Sequence, residues 1–104
     1  MDEATIISEY SLEQAIADGV LVEVFKDQWQ HLSQGKPIVA TNHLFSQVSL
    51  AGLLEIWNEY VVWRKNVMPA LPEEDQLFST TMNGDKVWLL EDGQAFTMLY
   101  PEDY

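Results

Sequence analysis

Cysteine is absent from the 104 residues of this chain, and basic residues are scarce. Without cysteine, the protein can form no disulfide, offers no thiolate nucleophile and binds no zinc through sulfur. Glycine and proline are also few, with five and four residues. The glycines stand singly, so the sequence contains no glycine-rich phosphate-binding loop.

Long apolar runs are lacking as well. The longest mostly apolar stretch, Leu50 to Val62, is interrupted by two glutamates and an asparagine. It is shorter than the ~20 apolar residues that a membrane-spanning helix requires. The first residues show no basic segment followed by an apolar one, which a secretory signal peptide would have. We therefore expect a soluble, cytoplasmic protein.

The shortage of basic residues gives the chain a strongly negative charge. Five Lys and Arg residues stand against 17 Asp and Glu residues, and the net charge is -12. Binding to a nucleic-acid backbone requires clustered Lys and Arg, and docking to an anionic membrane surface has the same requirement. The composition therefore argues against nucleic acid and membranes as direct partners.

Length and hydrophobic content indicate one folded unit. Hydrophobic residues make up 47% of the chain and charged residues 21%, which are ordinary values for globular proteins. No repeat or linker divides the sequence, so we expect a single domain over residues 1–104.

The first half of the chain predicts short helices and a strand. Ser11 and Gln14 have the spacing of a capping box, so we expect a short helix to begin there. Residues Val20 to Phe25 are rich in β-branched side chains and predict a strand. Residues 26–34 predict a second short helix, and residues 37–40 form either a short strand or an extended connector.

A long helix is predicted from about Ser49 to Val67. Its apolar residues fall into two stripes at helical spacing, of which we expect the first to face the core. The first stripe is Leu50, Leu53, Leu54, Trp57 and Val61, and the second is Ile56, Tyr60, Trp63 and Val67. Such a helix either lies in the middle of the core or turns one face towards another chain.

The last third of the chain predicts a β-meander. Its strands are Leu77 to Met82, Lys86 to Leu90 and Ala95 to Tyr100, joined at the turn signals Asn83-Gly84 and Asp92-Gly93. Together these elements predict an α+β fold with a short N-terminal helix. One long central helix packs on a small antiparallel sheet that contains the C-terminal three-stranded meander.

Both ends of the chain resemble a small family of domains of unknown function, encoded largely by phages, plasmids and mobile islands. The N-terminal signature is Tyr10-Ser11, then Gln14-Ala15-Ile16, then Asp18-Gly19-Val20-Leu21-Val22. The C-terminal one is Asp92-Gly93, a short apolar strand with Thr97 and Met98, and Pro101-Glu102-Asp103. The middle of the chain departs from the family pattern, where a shorter, arginine-rich helix is usual. The family has no established reaction, so the resemblance implies a mobile-element setting and no catalytic residue.

No constellation of residues predicts catalysis, a metal site or a cofactor. His31 and His43 are the only histidines, and their spacing does not place two ligands on one helix face. Glu55 and Glu59 lie one helical turn apart, which is typical of a solvated strip. An enzyme would need these two glutamates to form a pocket with one of the histidines.

Two groups of residues are candidates for binding another protein. Seven acidic residues near the C-terminus could form one negative surface or a solvated skin that keeps the protein soluble. Exposed aromatic and apolar residues on the second stripe of the long helix would mark an interface instead. The acidic candidates are Glu73, Glu74, Asp75, Glu91, Asp92, Glu102 and Asp103, and the helix candidates are Trp63, Tyr60 and Ile56.

The sequence therefore predicts a non-catalytic acidic binding protein of phage or mobile-element origin. It would imitate nucleic-acid phosphates and inhibit a host protein that handles nucleic acid, of the anti-CRISPR or anti-restriction type. The alternative is a small assembly module that forms a homodimer or docks through an aromatic helix face.

Overall fold

The computed structural model describes residues 11–104, which form a five-stranded sheet with helices on both of its faces. The helices are α1 (Leu12–Ala17), α2 (Trp29–Leu32), α3 (Asn42–Gln47) and α4 (Leu50–Asn66). The strands are β1 (Leu21–Glu23), β2 (Ile38–Thr41), β3 (Phe78–Met82), β4 (Asp85–Glu91) and β5 (Phe96–Leu99). Single 3-10 turns occupy Lys26–Gln28, Met68–Ala70, Glu73–Asp75 and Pro101–Asp103.

The α+β fold with a long central helix on the sheet is confirmed, but the sheet is mixed. Its strand order is β1-β2-β5-β4-β3, and every neighbouring pair is antiparallel except β2 and β5. Residues 37–40, for which the sequence left two alternatives, contribute to β2, whose four residues are all buried. β2 and β5 can run parallel because α3, α4 and the β3-β4 hairpin return the chain to the same end of the sheet.

Local sequence signals set the ends of the helices. Ser11 Oγ accepts a hydrogen bond from the Gln14 amide at 3.1 Å, which begins α1 at the predicted capping box. Ser49 Oγ accepts from the Gly52 amide at 3.1 Å and begins α4. The predicted helix over residues 26–34 is shorter than expected, because a 3-10 turn precedes α2.

The two predicted turns of the meander differ in kind. Asn83 and Gly84 both have positive φ and join Met82 to Asp85 in a two-residue turn, as predicted. The connection at Asp92-Gly93 is longer, because the β4-β5 register pairs Glu91 with Phe96. There Asp92 Oδ1 accepts hydrogen bonds from the amides at positions 94 and 95, at 2.7 and 3.0 Å, and so builds a side-chain turn.

The predicted core stripe of α4 is partly wrong. Leu53 and Trp57 are buried, but Leu50 is 57% exposed, Leu54 37% and Val61 42%. Ile56 and Tyr60 are buried instead, and they complete the core-facing side of α4. At 3.6 residues per turn, the buried face lies about 65° around the helix from the predicted stripe.

The main core lies between α4 and one face of the sheet. Val87 and Leu89 of β4 and Phe96 and Met98 of β5 point into it, together with residues of β2 and the buried face of α4. A smaller cluster on the opposite face joins α1 to β1 and β2 through Ala15, Leu21, Val39 and Ala95. The sheet is therefore covered on both faces, as expected from its bulky residues on both sides.

Gly52 allows α4 to approach its neighbours closely. A Cβ atom at this position would lie 2.7 Å from Val48 Cγ1 and 3.5 Å from Met82 Sδ. Alanine normally stabilises a helix relative to glycine by about 1 kcal/mol. Here the contact with Val48 opposes that gain, because overpacking a filled site costs about 1–3 kcal/mol.

We expect Gly52→Ala to lower the free energy of unfolding by about 1 kcal/mol, measured by chemical denaturation. Gly93→Ala is the matched control, because its Cβ would meet no atom within 4 Å and its φ is not positive. In a Val48→Ala background, Gly52→Ala should become neutral or stabilising. A stabilising effect of Gly52→Ala in the native background would contradict the close approach.

Candidate functional site

The seven acidic residues that could form one negative surface do not all lie at the same end of the sheet. β4 runs from Asp85 to Glu91, a length of about 20 Å. Asp92 lies beyond the Glu91 end. Because β5 returns antiparallel to β4, Glu102 and Asp103 follow it at the Asp85 end. Glu102 and Asp103 are therefore separated from Asp92 by the length of β4.

Other exposed carboxylates lie on α4 and in the turn before β3, which is one edge of the sheet. Glu59 Oε1 accepts a hydrogen bond from Thr80 Oγ1 at 2.6 Å, which fixes Glu59 against this strand. Glu55 lies one turn earlier on α4, about 6 Å along the helix axis. The turn Glu73–Asp75 precedes β3 in the chain. We call these five exposed residues the β3-edge surface: Glu55, Glu59, Glu73, Glu74 and Asp75.

The aromatic helix face predicted as an interface is mostly part of the core. Ile56 and Tyr60 are buried, and Trp63 is half-buried. The Trp63 ring lies 5.5 Å from the Phe78 ring and 6.0 Å from the Tyr60 ring, measured between centroids. The prediction that Ile56 and Tyr60 present a docking face is therefore wrong, because α4 turns these residues onto the sheet.

Glu91 connects three elements at the end of β4. Its Oε1 atom lies 3.1 Å from Arg64 Nε and accepts a hydrogen bond from the Tyr60 hydroxyl at 3.2 Å. Its Oε2 atom accepts from Lys36 Nζ at 3.3 Å. One carboxylate thus links the C-terminal part of α4 to the loop before β2.

These groups line a cleft of about 460 Å³. We call it the Glu91 cleft. Three of the five basic residues of the chain line it, namely Lys36, Arg64 and Lys65, and among residues 11–104 Glu91 is its one acidic lining residue. Its remaining wall is formed by Leu32, Ser33, Gln34, Trp57, Tyr60, Val61 and Phe96.

The hydroxyl of Tyr60 is held in its neutral form. Burial raises the pKa of Tyr60 well above its usual value, and the negative charge of Glu91 raises the pKa further. Arg64 has the opposite, smaller effect. Tyr60 therefore contributes a hydrogen-bond donor to the cleft rather than a base.

His43 and Asp103 form a second polar cluster at the other end of the sheet. His43 Nδ1 lies 3.1 Å from Asp103 Oδ2, and Thr41 Oγ1 donates to the same carboxylate at 3.2 Å. The His43 ring also packs against the Tyr100 ring, with 4.7 Å between centroids. This cluster joins the start of α3 to the C-terminal turn.

Glu55 and Glu59 do not form a pocket with either histidine, as an enzyme would need. His43 contacts Asp103, His31 is exposed on α2, and Glu59 contacts Thr80. Within residues 11–104, no three His, Asp or Glu side chains are grouped as metal ligands. None of the helices in this part of the chain is long and apolar enough to cross a membrane.

Comparison with known proteins gives no relative for this chain. It matches no protein-family model, no curated protein and no solved structure. The resemblance of its two ends to a mobile-element family therefore stays a prediction, and Tyr10 of the N-terminal signature lies outside the described part of the chain.

We expect Glu91→Gln to lower the free energy of unfolding by about 1 kcal/mol, because it weakens two partly exposed ion pairs and one hydrogen bond together. Glu23→Gln is the matched control, since the one ion pair of Glu23 within residues 11–104 is with the well-exposed Lys26, at 3.3 Å. Its effect should stay below about 0.5 kcal/mol. Equal losses in the two variants, measured by urea denaturation, would contradict a special role for Glu91.

Proposed function

We propose that this protein is a non-catalytic binding protein whose negative surface occupies a basic, nucleic-acid-binding surface of another protein. The observation that carries this proposal is the uneven distribution of charge. Fourteen acidic and all five basic residues lie in the described part of the chain. All of these carboxylates except that of Glu91 lie outside the Glu91 cleft. Outside the cleft, the only Lys or Arg residues are Lys26 and Lys86.

The β3-edge surface is the proposed contact. Its five carboxylates are exposed, and no basic residue belongs to the segments that carry them, 55–59 and 73–75. Two of them lie on a rigid helix and three on a 3-10 turn. These carboxylates would pair with the lysines and arginines of a nucleic-acid-binding groove, whose charge is opposite.

Competition explains how such a protein would inhibit. Carboxylates paired with the groove's basic side chains prevent phosphates from reaching them, and the remaining negative charge repels nucleic acid nearby. Attraction between opposite charges speeds association, and salt weakens it. The mechanism needs no reaction and no cofactor.

The resemblance of the chain's ends supports a narrower form of the proposal. A protein from a phage or mobile element would encounter host proteins that cut foreign nucleic acid. We propose a host defence nuclease or a CRISPR effector as the partner class, with both proteins in the cytoplasm.

A second candidate function is self-association through α4. Leu50, Leu54 and Val61 are exposed and lie within a narrow sector of the helix. Two copies could bury these sectors against each other. Leu54→Asp should then abolish a dimer that salt leaves unchanged, as measured by analytical ultracentrifugation, and a monomer at high protein concentration would contradict this candidate.

Charge neutralisation on the β3-edge surface tests the main proposal. The triple variant Glu55→Gln, Glu73→Gln and Glu74→Gln should weaken capture of the partner from host lysate by about tenfold, because each exposed ion pair contributes up to about 1 kcal/mol. The captured protein is identified by mass spectrometry at low and at physiological salt. Adding DNA or RNA should release it.

The control variant removes the same charge from the far side of the sheet, through Glu13→Gln, Asp18→Asn and Asp27→Asn. These residues lie on α1 and beyond β1, the opposite edge strand from β3. The control should retain the partner. If both triple variants lose it equally, binding depends on net charge and not on the β3-edge surface. A partner that nucleic acid does not displace would overturn the mimicry.

A further inference from the structure

The Glu91 cleft has the opposite charge from the rest of the described surface. Counting the described residues, three cationic side chains and one carboxylate line it, which is a local excess of two positive charges in a chain of net charge -12. The acidic function proposed above does not use this cleft. A positive cleft in an acidic protein selects for an anion, because field lines from its cations are concentrated by the surrounding walls.

The donors in the cleft already surround a carboxylate. Lys36, Arg64 and Tyr60 lie within 3.1 to 3.3 Å of the two Glu91 oxygens. Lys36 Nζ also lies 4.9 Å from the centre of the Phe96 ring, which holds the ammonium group at the wall of the cleft. Their geometry therefore suits a planar, singly charged oxyanion, which arginine and lysine bind as they bind Glu91.

Apolar side chains form part of the remaining wall. Val61 is 42% exposed and Leu32 is half-buried, whereas Trp57 and Phe96 contribute only small exposed areas. At about 460 Å³, the cleft falls within the size range of small-molecule sites. An apolar body can therefore pack on Val61 and Leu32 while a charged group meets the cations.

We propose that the Glu91 cleft binds a small organic carboxylate with an apolar body. The ligand's carboxylate would pair with Lys65 and share Lys36 and Arg64 with Glu91. Its apolar body would cover Val61 and Leu32. Inorganic phosphate lacks the apolar body, and a neutral amide lacks the charge, so both should bind more weakly.

Probe molecules test the chemistry of the site in the intact protein. Phenylacetate should shift the amide signals of Lys36, Val61 and Lys65 in proton-nitrogen spectra and should leave those of Glu13 and Asp18 in place. Phenylacetamide should bind at least tenfold more weakly. Equal binding of the amide, tighter binding of phosphate, or no response to phenylacetate at millimolar concentration would overturn the proposal.

Variants of the lining charges test the location. Lys65→Gln should weaken phenylacetate binding about fivefold, and Glu91→Gln should strengthen it about fivefold, because each changes one unit charge close to the ligand. Lys26→Gln, on the 3-10 turn after β1, should change nothing. Lys65 is not one of the residues that contact Glu91. Lys65→Gln can therefore still test the proposal if Glu91→Gln does not fold. Unchanged affinity in Lys65→Gln, or weaker binding in a folded Glu91→Gln, would overturn the proposal.

Discussion

The packing of α4 on the sheet is the interaction on which the rest of the structure depends. Trp57 meets the Phe96 ring at 84° with 5.0 Å between centroids, and Tyr60 meets Phe78 at 80° with 5.5 Å. Edge-to-face contacts of this kind add directional preference to the burial of large apolar surfaces. They hold the helix in one rotational setting against β3, β4 and β5.

That rotational setting separates the charges of the molecule. Glu55 and Glu59 lie on the side of α4 that borders β3, whereas Arg64 and Lys65 at its C-terminal end line the Glu91 cleft. The basic residues also lie near the helix C-terminus, where the helix dipole favours positive charge. A rotation of the helix would therefore move Glu55 and Glu59 together with Arg64 and Lys65, so each proposed site depends in part on the setting of α4.

Short-range signals in the sequence predict much of the fold, because they act within a few residues. The cap at Ser11 and the turn at Asn83-Gly84 are confirmed by a hydrogen bond and by positive φ angles, and the long helix begins near Ser49, as predicted. The phase of α4 could not be predicted in the same way. Its apolar residues occupy most of the helix circumference, so periodicity indicates a helix without deciding whether Leu50 or Ile56 faces the sheet.

The candidate site depends on contacts between residues far apart in the chain, which the sequence does not predict. Lys36 and Glu91 are 55 positions apart, and His43 and Asp103 are 60 apart. Only the order of the strands brings them together, and nothing in the spacing indicates it. The parallel pairing of β2 with β5 was missed for the same reason, since a short buried strand shows no preference for direction.

That parallel pair also governs how the chain must assemble. On one side of it, β1 and β2 pair through a connection of fourteen residues, and on the other, β3, β4 and β5 follow one another directly. Each side is built from contacts between neighbours in the chain. Joining them requires Ile38 to meet Phe96, 58 positions away, with α4 between them in the chain. Of the four strand pairings, this one closes the longest loop, so it carries the largest cost in chain entropy and contributes most to the contact order of the fold.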